Sequence, residues 1–223
     1  MTKALVVVAG VLAVLARDAG AGVPTDQLRG SIDLVLKIVT DPELKKEAKT
    51  AERRKRIREV VNQIFDFTEI SQRCLGRHWQ ARTPAEREKF VALFGDLLEN
   101  AYISKIESYS GEKIQYPGDV IEGDLAIVKT RIVTKQETEI PVDYRMFLKD
   151  GRWAVYDVSI EGISLIGNYR TQFNAVIQRS GYPDLVAKLT AKRDERPGAR
   201  EAGRQEAAVP PATAVPERAR QSP

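Results

Sequence analysis

The spacing of the apolar residues changes once along this chain, at Gly111, and this change limits the folds that the chain can adopt. Before Gly111, apolar residues recur every three or four positions, as they do on one face of a helix. After it they alternate with polar residues, most clearly over residues 140–148, which is typical of a strand with one buried face. Helices followed by consecutive strands predict an α+β fold with N-terminal helices packed on a curved antiparallel sheet.

A capping box gives the clearest local prediction in the helical half. Thr83 is the predicted N-cap, Pro84 takes the first helical position, and Glu86 completes the box. A long amphipathic helix is therefore expected from Pro84, with an apolar stripe broad enough to face a sheet. Shorter helices are predicted before it: one capped by Thr25, one over residues 43–67 and one over residues 68–75.

Four strands are predicted after Gly111, over residues 114–116, 125–134, 140–148 and 152–160. Residues 149–151 are predicted to form the hairpin turn between the last two strands. The last strand is apolar on both of its alternating sides, so the sheet must be covered on both faces or must hold a ligand on one of them. Ser164 is the predicted cap of a helix over residues 165–178, and a final helix is expected over residues 183–189.

The two ends of the chain are not expected to belong to the folded domain. Residues 4–16 are apolar apart from one glycine, and they are too few to span a bilayer as a helix, which needs about 20 residues. A small-residue cleavage site follows at residues 19–21, so residues 1–21 are interpreted as a signal peptide, with an uncleaved membrane anchor as the alternative. Residues 192–223 are rich in Ala, Pro, Arg and Glu, which predicts a disordered tail. One domain remains, over residues 22–191.

Composition and charge exclude several classes of site. The 223 residues include one Cys and one His, so neither an internal disulfide nor a multi-thiolate or polyhistidine metal centre can form, and no cofactor is expected. The net charge of +4 is unevenly spread: residues 22–91 hold 15 basic and 11 acidic residues, whereas residues 92–191 hold 11 basic and 14 acidic ones. This asymmetry can orient docking at membrane complexes, and it gives no support to nucleic-acid binding.

Catalysis would have to rely on few residues. His78 has no obvious carboxylate to orient it as a general base. Asp157 with Tyr144 is the pair that an isomerase or dehydratase acting on an apolar substrate would use in a cone-shaped α+β fold. We expect a protein that is not an enzyme. The alternative, an enzyme, would require Asp157 and Tyr144 to lie together inside the cavity.

Five short segments carry the most specific pattern in the chain: LGRHW at residues 75–79, TPAER at 83–87, GRWAVYDV at 151–158, EGISLI at 161–166 and NYRTQF at 168–173. Together with Phe90, Phe94 and Tyr102, these segments resemble the MlaC or toluene-tolerance family of exported lipid-binding proteins. The resemblance extends over nearly all of residues 25–190, in the order of the family, and does not include the tail.

The resemblance implies a fold like nuclear transport factor 2 with added helices, and a periplasmic protein that carries phospholipid. Members of the family pass lipid between an outer-membrane lipoprotein complex and an inner-membrane ABC transporter complex with an MCE subunit, which maintains the lipid asymmetry of the outer membrane. Phospholipid and these two complexes are therefore the expected partners of a monomeric protein. A sister branch associated with hopanoid loci leaves a hopanoid-type lipid as an alternative cargo, and a structural adaptor with a closed core is a third interpretation.

A lipid carrier requires an apolar cavity between sheet and helices, because each methylene removed from water contributes about 0.8 kcal/mol. The expected lining residues are Phe90, Phe94, Leu97, Leu98, Tyr102, Val128, Ile132, Tyr144, Trp153, Val155, Val158, Ile163, Tyr169 and Phe173. Tyr102 and Tyr144 are preferred because an amphipathic ring suits a cavity mouth. The candidate rim or docking residues are Arg77, Arg87 and Arg170. A filled core is the alternative role for each lining residue.

Overall fold

The computed structural model of this protein describes residues 23–194. In it, helices precede and follow an antiparallel sheet. The helices are α1 (Pro24–Thr40), α2 (Thr50–Ile64), α3 (Phe67–Leu75), α4 (Pro84–Glu107), α5 (Leu165–Ser180) and α6 (Tyr182–Asp194). The strands are β1 (Lys113–Glu122), β2 (Leu125–Val133), β3 (Glu139–Lys149), β4 (Arg152–Ile160) and β5 (Ile163–Ser164). The α+β class is confirmed. The predicted signal peptide and the tail beyond Asp194 lie outside the described residues.

The five strands pair in chain order, each antiparallel to the next. The turn between β3 and β4 has positive φ at both Asp150 and Gly151, which is the geometry of a tight hairpin that matches the strand twist. The register of pairing shifts at two places. One is in β1, between Gln115 and Gly118, and the other is in β4, opposite Arg145 and Met146 of β3. Because bulges bend and twist the strands that contain them, they give the sheet its curvature.

The two faces of the sheet have different neighbours. The face called here the α1 face carries Val128, Met146 and Val155, which cluster with Leu28 of α1 and Ile64 of α2. The opposite face, called the α5 face, is covered at β4 by α3 and α5. The α2–α3 link closes the free edge of β4 through a parallel bridge from Phe65 to Val155 and a backbone hydrogen bond of 3.0 Å from the Asp66 amide to the Val155 carbonyl.

Two predicted helix caps are confirmed. The Thr83 Oγ1 accepts a hydrogen bond from the Glu86 amide at 3.3 Å, and the Glu86 carboxylate accepts one from the Thr83 amide at 2.8 Å, which completes the capping box of α4. The Ser164 Oγ accepts from the Gly167 amide at 2.9 Å at the start of α5. Both helices therefore begin where the local sequence satisfies their first backbone donors.

Other element boundaries differ from the sequence-based expectation. α1 begins at Pro24, and the Thr25 hydroxyl donates to the Asp119 carboxylate of β1 at 2.5 Å instead of capping the helix. α3 is capped by Asp66, whose Oδ1 accepts from the Glu69 amide at 2.9 Å, and therefore begins before Thr68. β1 has ten residues, because the irregularity at Pro117 lets the strand resume its pairing beyond the proline.

α2 begins at Thr50, because the chain after Asp41 turns before it becomes helical. α6 runs to Asp194, five residues beyond the predicted end. Within residues 23–194 no helix combines the length and the apolar character that crossing a bilayer requires.

Candidate functional site

Three separate apolar clusters, in place of one continuous core, occupy the interior of residues 23–194. The first lies between α3, α4, α5 and α6 and is centred on Phe94 and Phe173. The second lies on the α1 face of the sheet, and the third joins α1, α2 and α4 through Val39, Ile57 and Ile103. A domain usually contains one contiguous core with small satellites. Here the buried residues divide into three clusters, and the partly buried Phe65 packs against both the first and the second.

Half-buried apolar side chains lie at the edges of all three clusters. They include Phe65, Phe67, Leu97 and Leu98 at the first, Ile32, Phe65, Tyr144, Leu148 and Val158 at the second, and Val35, Leu36, Val61, Ile106 and Tyr109 at the third. Phe65 contacts both the first and the second cluster. Each of these side chains keeps apolar surface that internal packing leaves uncovered, which is the property that a binding site for an apolar molecule needs.

Tyr144 is one of these half-buried side chains. Its residue surface is only half-buried, yet burial raises the pKa of its hydroxyl to about 12. The hydroxyl end of this side chain is therefore withdrawn from water, while part of the residue remains accessible. Tyr116 is similar: burial first, then Asp33 and Tyr144, raise its pKa to about 12, against the opposing effect of Arg29.

Tyrosine hydroxyls in the interior lack hydrogen-bond partners among the described residues. The hydroxyls of Tyr102, Tyr116 and Tyr169 are buried and unpartnered. Burial raises the pKa of Tyr102, and burial followed by the nearby Tyr102 and Cys74 raises that of Tyr169, which places the Tyr102 and Tyr169 rings near each other. A buried polar group without a partner costs about 1–3 kcal/mol, so these hydroxyls are available to a polar group of a ligand.

The structure distributes the predicted lining residues over the clusters. Phe90, Phe94, Tyr169 and Phe173 are at most 1% exposed and pack ring against ring, with centroids 5.1–5.7 Å apart. Val128, Trp153 and Val155 are buried in the second cluster. The half-buried members of the prediction are Leu97, Leu98, Tyr102, Ile132, Tyr144 and Val158. Ile163 is 47% exposed on β5, at the edge of the sheet.

Sequence reasoning missed several half-buried residues at the cluster edges. Phe65 was assigned to the α2 pattern, yet it follows the last residue of that helix and reaches two clusters. Tyr116 was assigned to a three-residue strand. Ile32 belongs to the apolar face that the spacing predicts for α1, one turn after Leu28, but the predicted lining residues do not include it.

Two of the three candidate rim arginines meet in one pocket of about 320 Å³. The pocket, called here the Gly76 pocket, is lined by Leu75, Gly76, Arg77, His78, Arg170, Thr171 and Asn174. Arg87 lies elsewhere: its guanidinium is 5.1 Å from the ring centroid of Trp79, and its Nε donates to the Trp79 carbonyl at 3.2 Å. Arg87 therefore fastens the start of α4 to the preceding turn.

The proposed catalytic pair is not assembled. Tyr144 is paired with Val158 across the sheet, whereas Asp157 is paired with Arg145, so the two side chains lie on opposite faces. Asp157 is 7% exposed, and its carboxylate accepts hydrogen bonds from the Ser164 hydroxyl at 2.6 Å and from the Ile166 amide at 3.1 Å. It anchors the start of α5. Across residues 23–194 no group of three or more His, Cys, Asp or Glu side chains is placed to hold a metal ion.

Comparisons with known proteins agree with this geometry. The family model described as MlaC protein matches residues 29–191. The intermembrane phospholipid transport system binding protein MlaC of Haemophilus influenzae is 25% identical over 138 residues, 58% of this chain and 64% of the relative. The toluene tolerance protein ttg2D of Pseudomonas putida is 24% identical over 124 residues, 55% of this chain and 58% of that protein. The chain thus covers less than two thirds of either curated relative.

A solved structure shares the fold. The phospholipid-binding protein from Ralstonia solanacearum, determined in complex with a phospholipid, superposes with a TM-score of 0.67 at 25% sequence identity. The match covers 77% of this chain and 97% of that one.

Proposed function

Because this chain belongs to the MlaC protein family, we propose that it binds phospholipid and carries it through the periplasm, between an outer-membrane lipoprotein complex and an inner-membrane ABC transporter complex with an MCE subunit. In this proposal residues 1–21 are a cleaved signal peptide, and the lipid-binding domain extends from residue 22 to the end of α6 at Asp194, three residues beyond the predicted end of the domain. Two relatives support the cargo by name: one is a phospholipid transport binding protein and the other was determined with a phospholipid.

The observation that carries the proposal is the set of half-buried apolar side chains at the edges of the three apolar clusters, which border the region between the helices and the sheet. We infer that acyl chains lie in that region, against Leu97, Leu98 and Tyr102 of α4 and against Ile132, Tyr144 and Val158 of the sheet. The fully buried residues of the first two clusters form the walls behind them. One long acyl chain contributes on the order of 10 kcal/mol toward leaving water, so binding needs no reactive group.

The buried carboxylate of Asp157 has a structural role, and this favours binding over catalysis. Asp157 is occupied by the start of α5 and faces away from Tyr144. An acid or base for the chemistry of an apolar substrate would have to face the interior beside that substrate. We therefore propose a carrier that is not an enzyme.

The direct test is to identify the lipid that the protein carries. The full chain is produced with its own N-terminal segment, purified without detergent and extracted with organic solvent for mass spectrometry. We expect phospholipid in stoichiometric amount. A protein that is folded and lipid-free, and that takes up no phospholipid from vesicles, would contradict the proposal, and a hopanoid in the extract would replace the cargo.

A variant locates the site. Tyr102→Asp places a charge beside the acyl chains and should lower the retained phospholipid at least tenfold, because an unpaired carboxylate is strongly disfavoured in an apolar space. Leu34→Asp makes a similar apolar-to-acidic change on a side chain that is 47% exposed on α1, and should retain lipid as the wild type does. Circular dichroism establishes that both variants fold. Equal retention by Tyr102→Asp would remove this residue from the site.

A further inference from the structure

The segments LGRHW and NYRTQF, which lie about 90 residues apart in the chain, meet in the Gly76 pocket. Their inward residues, Leu75 and Trp79 on one side and Tyr169 and Phe173 on the other, are buried in the first apolar cluster. Their outward residues are exposed or half-buried, and packing does not account for them. The outward residues include two arginines and the single histidine of the chain, gathered around one concavity.

Hydrogen bonding holds one arginine and the histidine at the wall of the pocket. The Asn174 Oδ1 accepts from Nη2 of Arg77 at 3.2 Å and lies 2.9 Å from Nε2 of His78. An amide oxygen only accepts, so Nε2 of His78 is the donor. The side-chain nitrogen of Asn174, Nδ2, has no partner among the described residues and remains available as a further donor.

Gly76 lets the second arginine approach the backbone closely. Its φ of +52° is in the left-handed region, and a β-carbon at this position would lie 3.1 Å from Nε and 3.3 Å from Nη2 of Arg170. Only a glycine accommodates both the backbone angle and the guanidinium. Arg170 makes no hydrogen bond or ion pair within the described part of the chain, in contrast to Arg53, Arg54 and Arg58 of α2, which all pair with glutamates of α4.

The pocket therefore presents positive charge with no negative counterpart. Neither Arg77 nor Arg170 pairs with a carboxylate among residues 23–194, and no acidic residue lines the pocket. Guanidinium groups bind phosphate strongly because their donors match its oxygens, and donors from several directions suit a tetrahedral anion better than a planar carboxylate. A volume of about 320 Å³ corresponds to a small-molecule site and exceeds what a single ion needs.

We propose that the Gly76 pocket binds a phosphate group, presented either as the phosphodiester of a phospholipid headgroup or as free phosphate. Arg77, Arg170 and the Asn174 amide are the donors in this site. The headgroup source rests on the proposed function, because a lipid carrier meets this phosphodiester whenever it meets a membrane.

Calorimetric titration of the full chain, purified and then delipidated so that no bound headgroup blocks the pocket, tests the proposal with two probes, glycerophosphoglycerol as a headgroup without acyl chains and inorganic phosphate. Sodium chloride at matched ionic strength is the reference. We expect at least one probe to bind, and Arg77→Gln and Arg170→Gln each to weaken it about tenfold or more. The tighter of the two probes identifies the source. Arg179→Gln, at the other end of α5, is the matched control and should bind as the wild type does.

Asn174→Asp keeps the variant series informative if an arginine substitution impairs folding. The new carboxylate should pair with Arg77 and His78, so the variant should unfold no earlier than the wild type while losing the anion. If the probes bind at another place on the protein, Asn174→Asp should bind them as the wild type does, and the proposal would be contradicted. Absence of binding by the wild type to both probes, or an equal loss in Arg179→Gln, would overturn the proposal.

Lipid extraction of the same proteins separates this proposal from the proposed function. If neither probe binds and phospholipid still co-purifies, the pocket proposal alone fails. If a probe binds and the protein carries no lipid, the carrier function fails and the pocket is a site for free phosphate.

Discussion

The Tyr169 hydroxyl is buried and has no partner among the described residues, so the empty protein retains the desolvation cost of this group without a compensating hydrogen bond. Tyr169→Phe removes the hydroxyl and keeps the ring. We expect the free energy of unfolding of the delipidated protein to stay unchanged or to rise by about 1 kcal/mol, measured by urea denaturation.

Tyr182→Phe is the control for this prediction. The Tyr182 hydroxyl donates to the Glu86 carbonyl at 3.1 Å, so its removal should destabilise the protein by about 1 kcal/mol whether or not lipid is bound. If Tyr169→Phe lowered the stability of the delipidated protein as much as Tyr182→Phe does, the Tyr169 hydroxyl would have a partner within the protein itself.

At the scale of elements, Glu107 joins α2 to the end of α4. Its carboxylate accepts hydrogen bonds from Arg53 at 2.8 Å and from Arg54 at 2.8 Å, and all three side chains are largely buried. An acidic residue in the last turn of a helix is unfavourable for the helix dipole, and the two arginines offset this. Burial opposes ionisation of Glu107, but the hydrogen bonds from Arg54 and Arg53 outweigh it and lower its pKa below the ordinary value.

Glu107→Gln should therefore destabilise the protein in a pH-dependent way. Because the pKa is lower in the folded state, the stabilisation is fully present above the ordinary glutamate pKa of about 4.3 and is lost as the pH falls through the lowered folded value. Urea denaturation should give a loss of about 2 kcal/mol at pH 7 and a shrinking difference from the wild type toward pH 3.

The control for Glu107→Gln is Glu59→Gln on the exposed side of α2. Its 4.0 Å contact with Lys55 lies in solvent, and the change should stay within about 0.5 kcal/mol at every pH. A pH-independent loss in Glu107→Gln would show that packing, and not the ion pairs, joins the two helices.

Elements with local signals could be predicted from the sequence, and elements that depend on distant contacts could not. Thr83 and Ser164 begin their helices because their own side chains satisfy nearby amides. The pairing of β3 with β4 is an example of the second kind. Met146 and Arg145 are neighbours in β3, but their partners in β4 are Val155 and Asp157, so Tyr156 is an extra residue in β4. Because of this bulge, alternation along the sequence does not predict which face of the sheet Asp157 occupies.

The candidate site shows the same limit. Phe94 and Leu98 lie one turn apart on the apolar stripe of α4, and the sequence pattern assigns them the same role. The structure buries Phe94 completely against α5 and leaves Leu98 half-buried, because only the first of them lies under the aromatic residues of that helix. Whether an apolar residue fills the core or keeps uncovered surface therefore depends on where the neighbouring helices pack. The spacing of apolar residues carries no information about that packing.

At the scale of the whole molecule, lipid and fold should stabilise each other. A ligand that binds only the folded state adds about 2.7 kcal/mol of stability at 100 times its Kd. For a domain of this size that corresponds to a rise in Tm of roughly 5–10 °C. Differential scanning calorimetry of the protein as purified, after solvent extraction and after reloading from vesicles should show Tm fall and then recover. A Tm that does not respond to lipid would argue against a site inside the fold.

The lipid site proposed beside the half-buried side chains of the three clusters also bears on how the molecule responds to compression. Unfolding eliminates internal space that side chains do not fill, so the unfolded state occupies less volume and pressure favours it. Acyl chains that fill the region between the clusters reduce this difference. The delipidated protein should therefore unfold at a lower hydrostatic pressure than the loaded one, as tryptophan fluorescence under pressure would record, and its volume change should be the more negative of the two.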